Sequence, residues 1–248
     1  MEHISTWGKN VNSRFTFDNF LGLKGNSAAL QAARLLAEGN NTSALCPLVI
    51  VSQLGMGKTH LLCAIANQVV KMQPNAKCML TDGERFSYNL KQSCQKGLLD
   101  EYSTFLCSSD YFLFDTLDFI AGKSLEEREL LRLIDTLTAR SIRCVFTLYT
   151  PPSQVGNLIP RLKEWLESGR IVTIDENILS DVNDRTKTIR FIAKKHQIQL
   201  AVGEIEIIAN AGVFSFRVLE GILIRIQAYL KLKCATVPIE EMIRKCSS

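Results

Sequence analysis

Pro47-Leu-Val-Ile-Val-Ser-Gln-Leu-Gly-Met-Gly-Lys-Thr-His60 runs from an apolar, β-branched strand through a short glycine loop into the apolar start of a helix. A phosphate-binding loop needs that order. Glycines let backbone N–H groups turn inward around a triphosphate, and the helix N-terminus behind them adds partial positive charge. The loop set is Ser52, Gln53, Leu54, Gly55, Met56, Gly57, Lys58, Thr59 and His60. Lys58 supplies a mobile cation to the outer phosphates, and the Thr59 hydroxyl is placed to ligate Mg2+. One position departs from the pattern G-x-x-x-x-G-K-[ST], because Ser52 stands where glycine is usual. Serine is penalised at positive φ, so the loop is expected to sit slightly differently. The alternative is a glycine-containing turn ahead of an ordinary surface helix. Strand, turn and helix in this order favour the phosphate loop.

The chain has 248 residues, enough for one sizeable core or two when a domain takes roughly 100–200. Hydrophobic residues make up 46% and charged residues 22%, which excludes a disordered chain. A net charge of +4 without a visible basic cluster is too mild to mark a nucleic-acid footprint. Lys194-Lys195-His196 and the face from Arg225 to Lys233 are expected to be solvated helix surface. The eight cysteines contain no C-x-x-C pair and no nearby histidine partner, so free thiols acting as small hydrophobes are expected. The opening Met-Glu-His-Ile-Ser-Thr-Trp lacks the layout of a signal peptide, and no apolar run approaches membrane-spanning length. The cytoplasm is the expected compartment, with no membrane partner.

Around the loop, strands and helices alternate. Residues 1–14 are polar and read as a loosely held tail, followed by the aromatic segment Phe15-Thr-Phe-Asp-Asn-Phe20. That segment could cross the edge of a nucleotide pocket or simply anchor the N-terminus. Helical spacing covers Ser27 to Glu38, and Gly39 to Ser43 is a loop. The helix behind Lys58 runs to about Lys71; Lys77–Thr81 is a strand, 84–94 a helix, and 97–109 irregular or partly helical. Tyr111-Phe-Leu-Phe-Asp115 is a continuous apolar run ending in a carboxylate, as in a strand buried on both faces. Ser124 with Glu127 three residues on predicts a capped helix to about Arg140. Cys144–Tyr149 and Ile171–Ile174 are further strands, with a helix between them leading to Gly169. Beyond Asp175 only helical patterns remain, at 180–195, 203–210, 215–232 and 238–245. The fold class is therefore α/β: a parallel sheet flanked by helices, followed by a small α-helical lid.

Ligands of such sheets sit at the carboxyl ends of the strands. Asp115 closes its strand there and could hold magnesium through a water; its alternative role is to cap a turn. Hydrolysis usually needs a second carboxylate beside it to orient water, and the neighbour is Thr116. Asp118 lies two places further on, where an extended strand end would not point it the same way. Tyr149 ends the next strand, where a polar sensor of the γ-phosphate would serve. Arg217, one turn into the last long helix, could reach outer phosphates from a lid or stand solvated with its stem packed.

Phe15–Phe20, Gly55-Met-Gly-Lys-Thr-His-Leu-Leu62, Phe119-Ile-Ala-Gly-Lys123 and Arg217-Val-Leu-Glu-Gly221 resemble consecutive signature segments of the AAA+ module of DnaA. DnaA is the bacterial chromosomal replication initiator. The resemblance runs from about Phe15 to Lys245 and implies an AAA+ fold with a helical lid. It implies a nucleotide-binding domain over 15–175, a lid over 176–248, ATP or ADP with Mg2+ as ligands, and a role in replication initiation. It also places Lys58 and Thr59 as the phosphate-loop pair, Asp115 as the first Walker B carboxylate, bound with Thr59 to Mg2+, and Arg217 as the lid sensor.

Three family features are altered. Thr116 replaces the second acidic residue, Tyr149 stands at the sensor aspartate, and Trp165 falls at the arginine finger, with Arg161 and Lys163 close by. Each loss bears on hydrolysis or ATP-sensing assembly rather than on binding. The chain stops after the lid, as the short regulatory relative Hda does, so no duplex-DNA-reading helix-turn-helix domain is expected. The resemblance implies adenine-nucleotide binding with weak or absent hydrolysis, and protein contacts with full-length DnaA or the replisome. Two alternatives stand beside it. One is an active ATPase whose carboxylate comes from Asp118 or a partner subunit. The other is a module that holds single-stranded DNA in a homo-oligomeric filament.

Overall fold

The computed structural model describes residues 8, 10–39, 46–212 and 216–231. The expected helix at 238–245, most of the 39–43 loop, most of the polar tail, Cys234 and Cys246 lie outside the described residues. Five strands form one all-parallel sheet: β1 (Leu48–Val51), β2 (Cys78–Asp82), β3 (Tyr111–Asp115), β4 (Arg143–Leu148) and β5 (Arg170–Thr173). Their spatial order is β2-β3-β4-β1-β5. Val51 lies level with Leu148 and with Thr173, and Asp82 with Asp115, so the carboxyl ends share one edge. All five residues of β3 are buried, as a strand covered on both faces requires.

Alternation sends successive side chains to opposite faces of the sheet. Val49, Val51, Phe112, Phe114, Phe146 and Leu148 share one core with α3 (Gly83–Lys96), α4 (Leu99–Leu106), α5 (Ser124–Ala139) and α6 (Pro160–Glu167). Phe114 stacks on Phe146 at 5.8 Å between ring centroids and meets Phe86 edge-on at 5.4 Å. Each fully buried side chain of this kind contributes about 1.5–3 kcal/mol. Helices α1 (Ser27–Glu38) and α2 (Lys58–Met72) also pack on this sheet and on each other. The stretch at 97–109 resolves into the helix α4. Among the described residues, Cys46, Cys63, Cys78, Cys94, Cys107 and Cys144 form no disulfide bond. Burial pushes the thiols of Cys46, Cys78, Cys107 and Cys144 up, which keeps them in the inert protonated form.

One local expectation is corrected. Ser124 does not cap α5: it is the helix's first residue, behind Lys123 in extended conformation, and no side chain caps that end. A hydroxyl already inside the first turn cannot face the N–H groups ahead of it. The Glu127 carboxylate reaches back instead, accepting from Gly122 N–H at 2.6 Å and from Ile159 N–H at 3.0 Å.

The contacts divide the chain into two compact units, 1–20 with 26–174, and 21–25 with 175–248. The second contains α7 (Val182–His196), α8 (Val202–Asn210) and α9 (Phe216–Lys231). Asp181 caps α7 by accepting from Asn183 and Asp184 N–H. The buried Arg185 guanidinium donates to the carbonyls of Leu179, Ser180 and Ala209, which ties the end of α8 to the start of α7. Among the described residues, no helix is long and apolar enough to cross a membrane.

Candidate nucleotide site

The loop after β1 has its left-handed residues at Gly55 (φ 83°) and Gly57 (φ 94°), and Ser52 is not one of them. The missing glycine therefore costs no backbone strain at Ser52. Its N–H donates to Leu148 O at 3.1 Å, which fastens the loop to the end of β4. Gln53, Leu54 and Gly55 are exposed, while Met56 and Gly57 are half-buried. Lys58 begins α2 and is buried; its ammonium donates to Ser52 O and, at 3.1 Å, to Gln53 O. The Tyr149 ring covers the same ammonium, with 4.3 Å from Nζ to the ring centroid. Burial pushes the Lys58 ammonium down to about 8, against the opposing pull of the Asp115 and Asp118 charges.

Asp115 is buried at the end of β3 and brings two strands and the loop together. The Thr59 hydroxyl donates to its Oδ2 at 2.7 Å, and the Thr147 hydroxyl donates to its Oδ1 at 2.7 Å. A hydroxyl and a carboxylate at that distance form a hard, all-oxygen donor set suited to Mg2+, whose remaining ligands are usually phosphates and waters. The residues therefore fit the ion. Among the described residues no cluster of three or more His, Cys, Asp or Glu could hold a metal, and a site completed by phosphates needs none.

After Asp115 the chain leaves the strand direction. Thr116 adopts a left-handed conformation (φ 56°, ψ 61°), and its N–H donates to Thr147 Oγ1 at 2.8 Å. The 3-10 turn Leu117–Ile120 then aims Asp118 at the end of β4, where its two carboxylate oxygens accept from Tyr149 N–H at 3.1 and 2.9 Å. The turn, rather than an extended strand end, sets the direction of Asp118, which faces the Tyr149 N–H. Burial pushes the Asp118 carboxyl up, opposed by the Tyr149 N–H and the Lys58 cation. The carboxylate is committed to backbone N–H groups and acts as a clip between the ends of β3 and β4.

The aromatic segment 15–20 lies against this loop. His60 stacks on Phe15 (4.7 Å, 16°), meets Phe20 edge-on (5.1 Å, 77°) and pairs through Nε2 with Thr16 O at 2.9 Å. Asn67 donates to the carbonyls of Asn12 and Phe15 and fixes the same segment to α2. His60 is thus occupied in seating the N-terminal segment. Trp165 is half-buried and packs edge-on against Phe146 at 5.5 Å, on the margin of the core. Arg161 pairs with Asp135 at 2.9 Å. Arg217 is exposed on α9 of the second unit. Thr147 was missed by sequence reasoning; its signal was a hydroxyl near the end of an otherwise apolar strand.

The model of the bacterial DnaA ATPase domain matches residues 11–173. The chromosomal replication initiator protein DnaA of Chloroflexus aurantiacus is 30% identical over 230 residues, covering 93% of this chain and 47% of that protein. The chain thus spans about half the length of the curated relatives it matches. Domain III of the Thermotoga maritima replication initiation protein DnaA superposes with a TM-score of 0.84 at 26% identity, covering 95% of this chain and 97% of that one. A replication initiator DnaA bound to AMPPCP and single-stranded DNA superposes at 0.80 and 25% identity, covering 96% of this chain and 69% of that one.

Proposed function

The chain belongs to the bacterial DnaA ATPase-domain family, and from that premise we propose that it binds an adenine nucleotide with Mg2+ at the loop 52–59 and acts in the initiation of bacterial chromosomal replication or its regulation. The observation that carries the reading is the convergence of Lys58, Thr59 and Asp115, with the Thr59 hydroxyl 2.7 Å from Asp115 Oδ2. Loop N–H groups and Lys58 take the phosphates, while Thr59 and Asp115 hold the ion, which neutralises phosphate charge when bound. A relative bound to AMPPCP supports an adenine nucleotide as the ligand. We place the site in a domain spanning 15–175, ahead of a helical lid.

Hydrolysis is weak or absent in this reading. Thr116 offers no carboxylate beside Asp115, and the Asp118 carboxylate is turned onto the Tyr149 backbone N–H. Action then runs through protein contacts, with full-length DnaA or replisome components as partners. Calorimetric titration with ADP and ATP, followed by turnover on the same preparation, tests both halves. Lys58→Ala is expected to weaken binding about 100-fold or more, the scale of losing a charge-assisted phosphate contact in a partly desolvated site. No binding by the unaltered chain would overturn the proposal; steady turnover abolished in Asp115→Ala would overturn the hydrolysis half alone.

The relative bound to single-stranded DNA favours a second reading, retention of a single strand on the AAA+ face. Oligonucleotide binding that requires nucleotide and falls with added salt would support it, because phosphate contacts are screened by salt.

A further inference from the structure

We propose that Thr147 is a positioning residue for the Mg2+ of the bound nucleotide, acting through Asp115. This rests on the nucleotide-binding reading above, to which it adds the residue that aims the carboxylate. Thr147 lies on β4, is wholly buried, and takes the sheet face opposite Phe146 and Leu148. A hydroxyl buried in a strand must find its hydrogen bonds within the fold.

Both of its bonds are made, and their directions follow from the partners. A hydroxyl carries one hydrogen and two acceptor lone pairs. Thr147 Oγ1 accepts the Thr116 N–H at 2.8 Å, and a backbone N–H can only donate. The hydroxyl hydrogen is therefore left for the Asp115 carboxylate, which only accepts, and Oδ1 takes it at 2.7 Å. The other oxygen, Oδ2, faces Thr59, whose hydroxyl reaches it at 2.7 Å. One oxygen of Asp115 thus serves orientation, and the other is presented on the Thr59 side, where the ion is held.

Without the Thr147 hydroxyl, Asp115 loses one of the two hydroxyls that fix its rotation about Cβ–Cγ. A group that orients a metal-side ligand is worth about 10–100-fold in metal affinity. The loss should fall on the ion, because loop N–H groups and Lys58 take the phosphates without it. A purely structural role, satisfying the Thr116 N–H in a buried turn, would weaken the nucleotide equally with and without the ion.

The test is calorimetric titration of the full chain with ADP, in Mg2+ and in EDTA, for the unaltered protein, Thr147→Val and Thr147→Ser. The unaltered chain is expected to bind ADP more tightly in Mg2+. Thr147→Val keeps the shape without the hydroxyl; it should cut that gain about tenfold or abolish it, with affinity in EDTA held within about threefold. Thr147→Ser keeps the hydroxyl and should keep the gain. An undiminished gain in Thr147→Val overturns the proposal, as does an equal loss in both buffers. A gain lost in Thr147→Ser as well shows that the hydroxyl is not what acts. Should Thr147→Val fail to fold by circular dichroism, Thr147→Ala carries the same comparison. An unaltered chain that binds ADP equally in both buffers overturns the positioning role and leaves nucleotide binding standing. One that binds no ADP in either removes both.

Discussion

Gly55 and Gly57 share a left-handed backbone but not a neighbourhood. A Cβ at Gly57 would stand 2.9 Å from Phe20 Cε2, whereas nothing lies within 4 Å of one at Gly55. Gly55→Ala is therefore expected to cost about 1 kcal/mol of backbone strain. Gly57→Ala should cost about 2–3 kcal/mol, because the Phe20 ring must also shift. Thermal unfolding compares them, and removing the ring in a Gly57→Ala, Phe20→Ala pair should recover part of the difference. Equal melting temperatures for the two glycine variants would show that the segment 15–20 does not press on the loop. At the same scale, three residues read as departures from the family pattern have structural places of their own: the Thr116 backbone makes a left-handed turn, the Tyr149 ring covers a lysine, and Trp165 packs half-buried beside Phe146.

Elements in the first unit are joined by buried carboxylates as well as by apolar packing. Glu127 is 1% exposed and links the turn before α5 to the entry of α6 through two backbone N–H groups. Glu127→Ala leaves two part-buried donors without that acceptor and is expected to cost about 1–3 kcal/mol, read from the denaturant midpoint. Glu127→Gln keeps a carbonyl oxygen and should cost about half as much. A Glu127→Ala midpoint indistinguishable from the unaltered chain would mean that water replaces the carboxylate freely. Glu126, also buried, accepts from the Ser87 hydroxyl at 2.5 Å and pairs with Lys91, which ties α5 to α3. The clip between the half-buried Asp118 and Tyr149 N–H is a further carboxylate link, and it lies beside Lys58.

On the scale of the whole molecule, the first unit collects its site along one edge of a parallel sheet, and the second is a helical unit with its own polar clasp. Glu220 on α9 accepts from Lys195 and from His196 Nε2, both at 2.8 Å, at the end of α7. Burial alone would raise its pKa, but the hydrogen bonds and charges of Lys195 and His196 outweigh that and hold the carboxyl below its usual range. A lowered carboxylate contributes stability above its unfolded value of about 4.3, and loses it as pH falls through the folded value. Glu220→Gln should therefore destabilise the second unit by about 0.5–1.5 kcal/mol at pH 7 and by almost nothing near pH 3. Urea unfolding at the two pH values measures the gap. A gap that persists undiminished in acid would assign Glu220 a packing role instead.

The order of strands and helices was written locally. Leu48–Val51 and Tyr111–Asp115 are apolar runs, α1 carries a helical apolar stripe, and glycine and proline punctuate the rest, so spacing alone placed those elements. The loop was legible for the same reason, since Gly55, Gly57, Lys58 and Thr59 are neighbours in the chain and their proposed roles follow from short-range geometry. The partners of Asp115 were not legible. Thr59 is 56 residues away and Thr147 is 32 away, and only the parallel sheet brings them to one edge. The turn at Thr116, the direction of Asp118 toward Tyr149 N–H, and the half-buried place of Trp165 beside Phe146 were likewise decided by packing. Hydrogen bonds and core contacts between distant segments fix which way a side chain points, and no periodicity within a window of sequence encodes them.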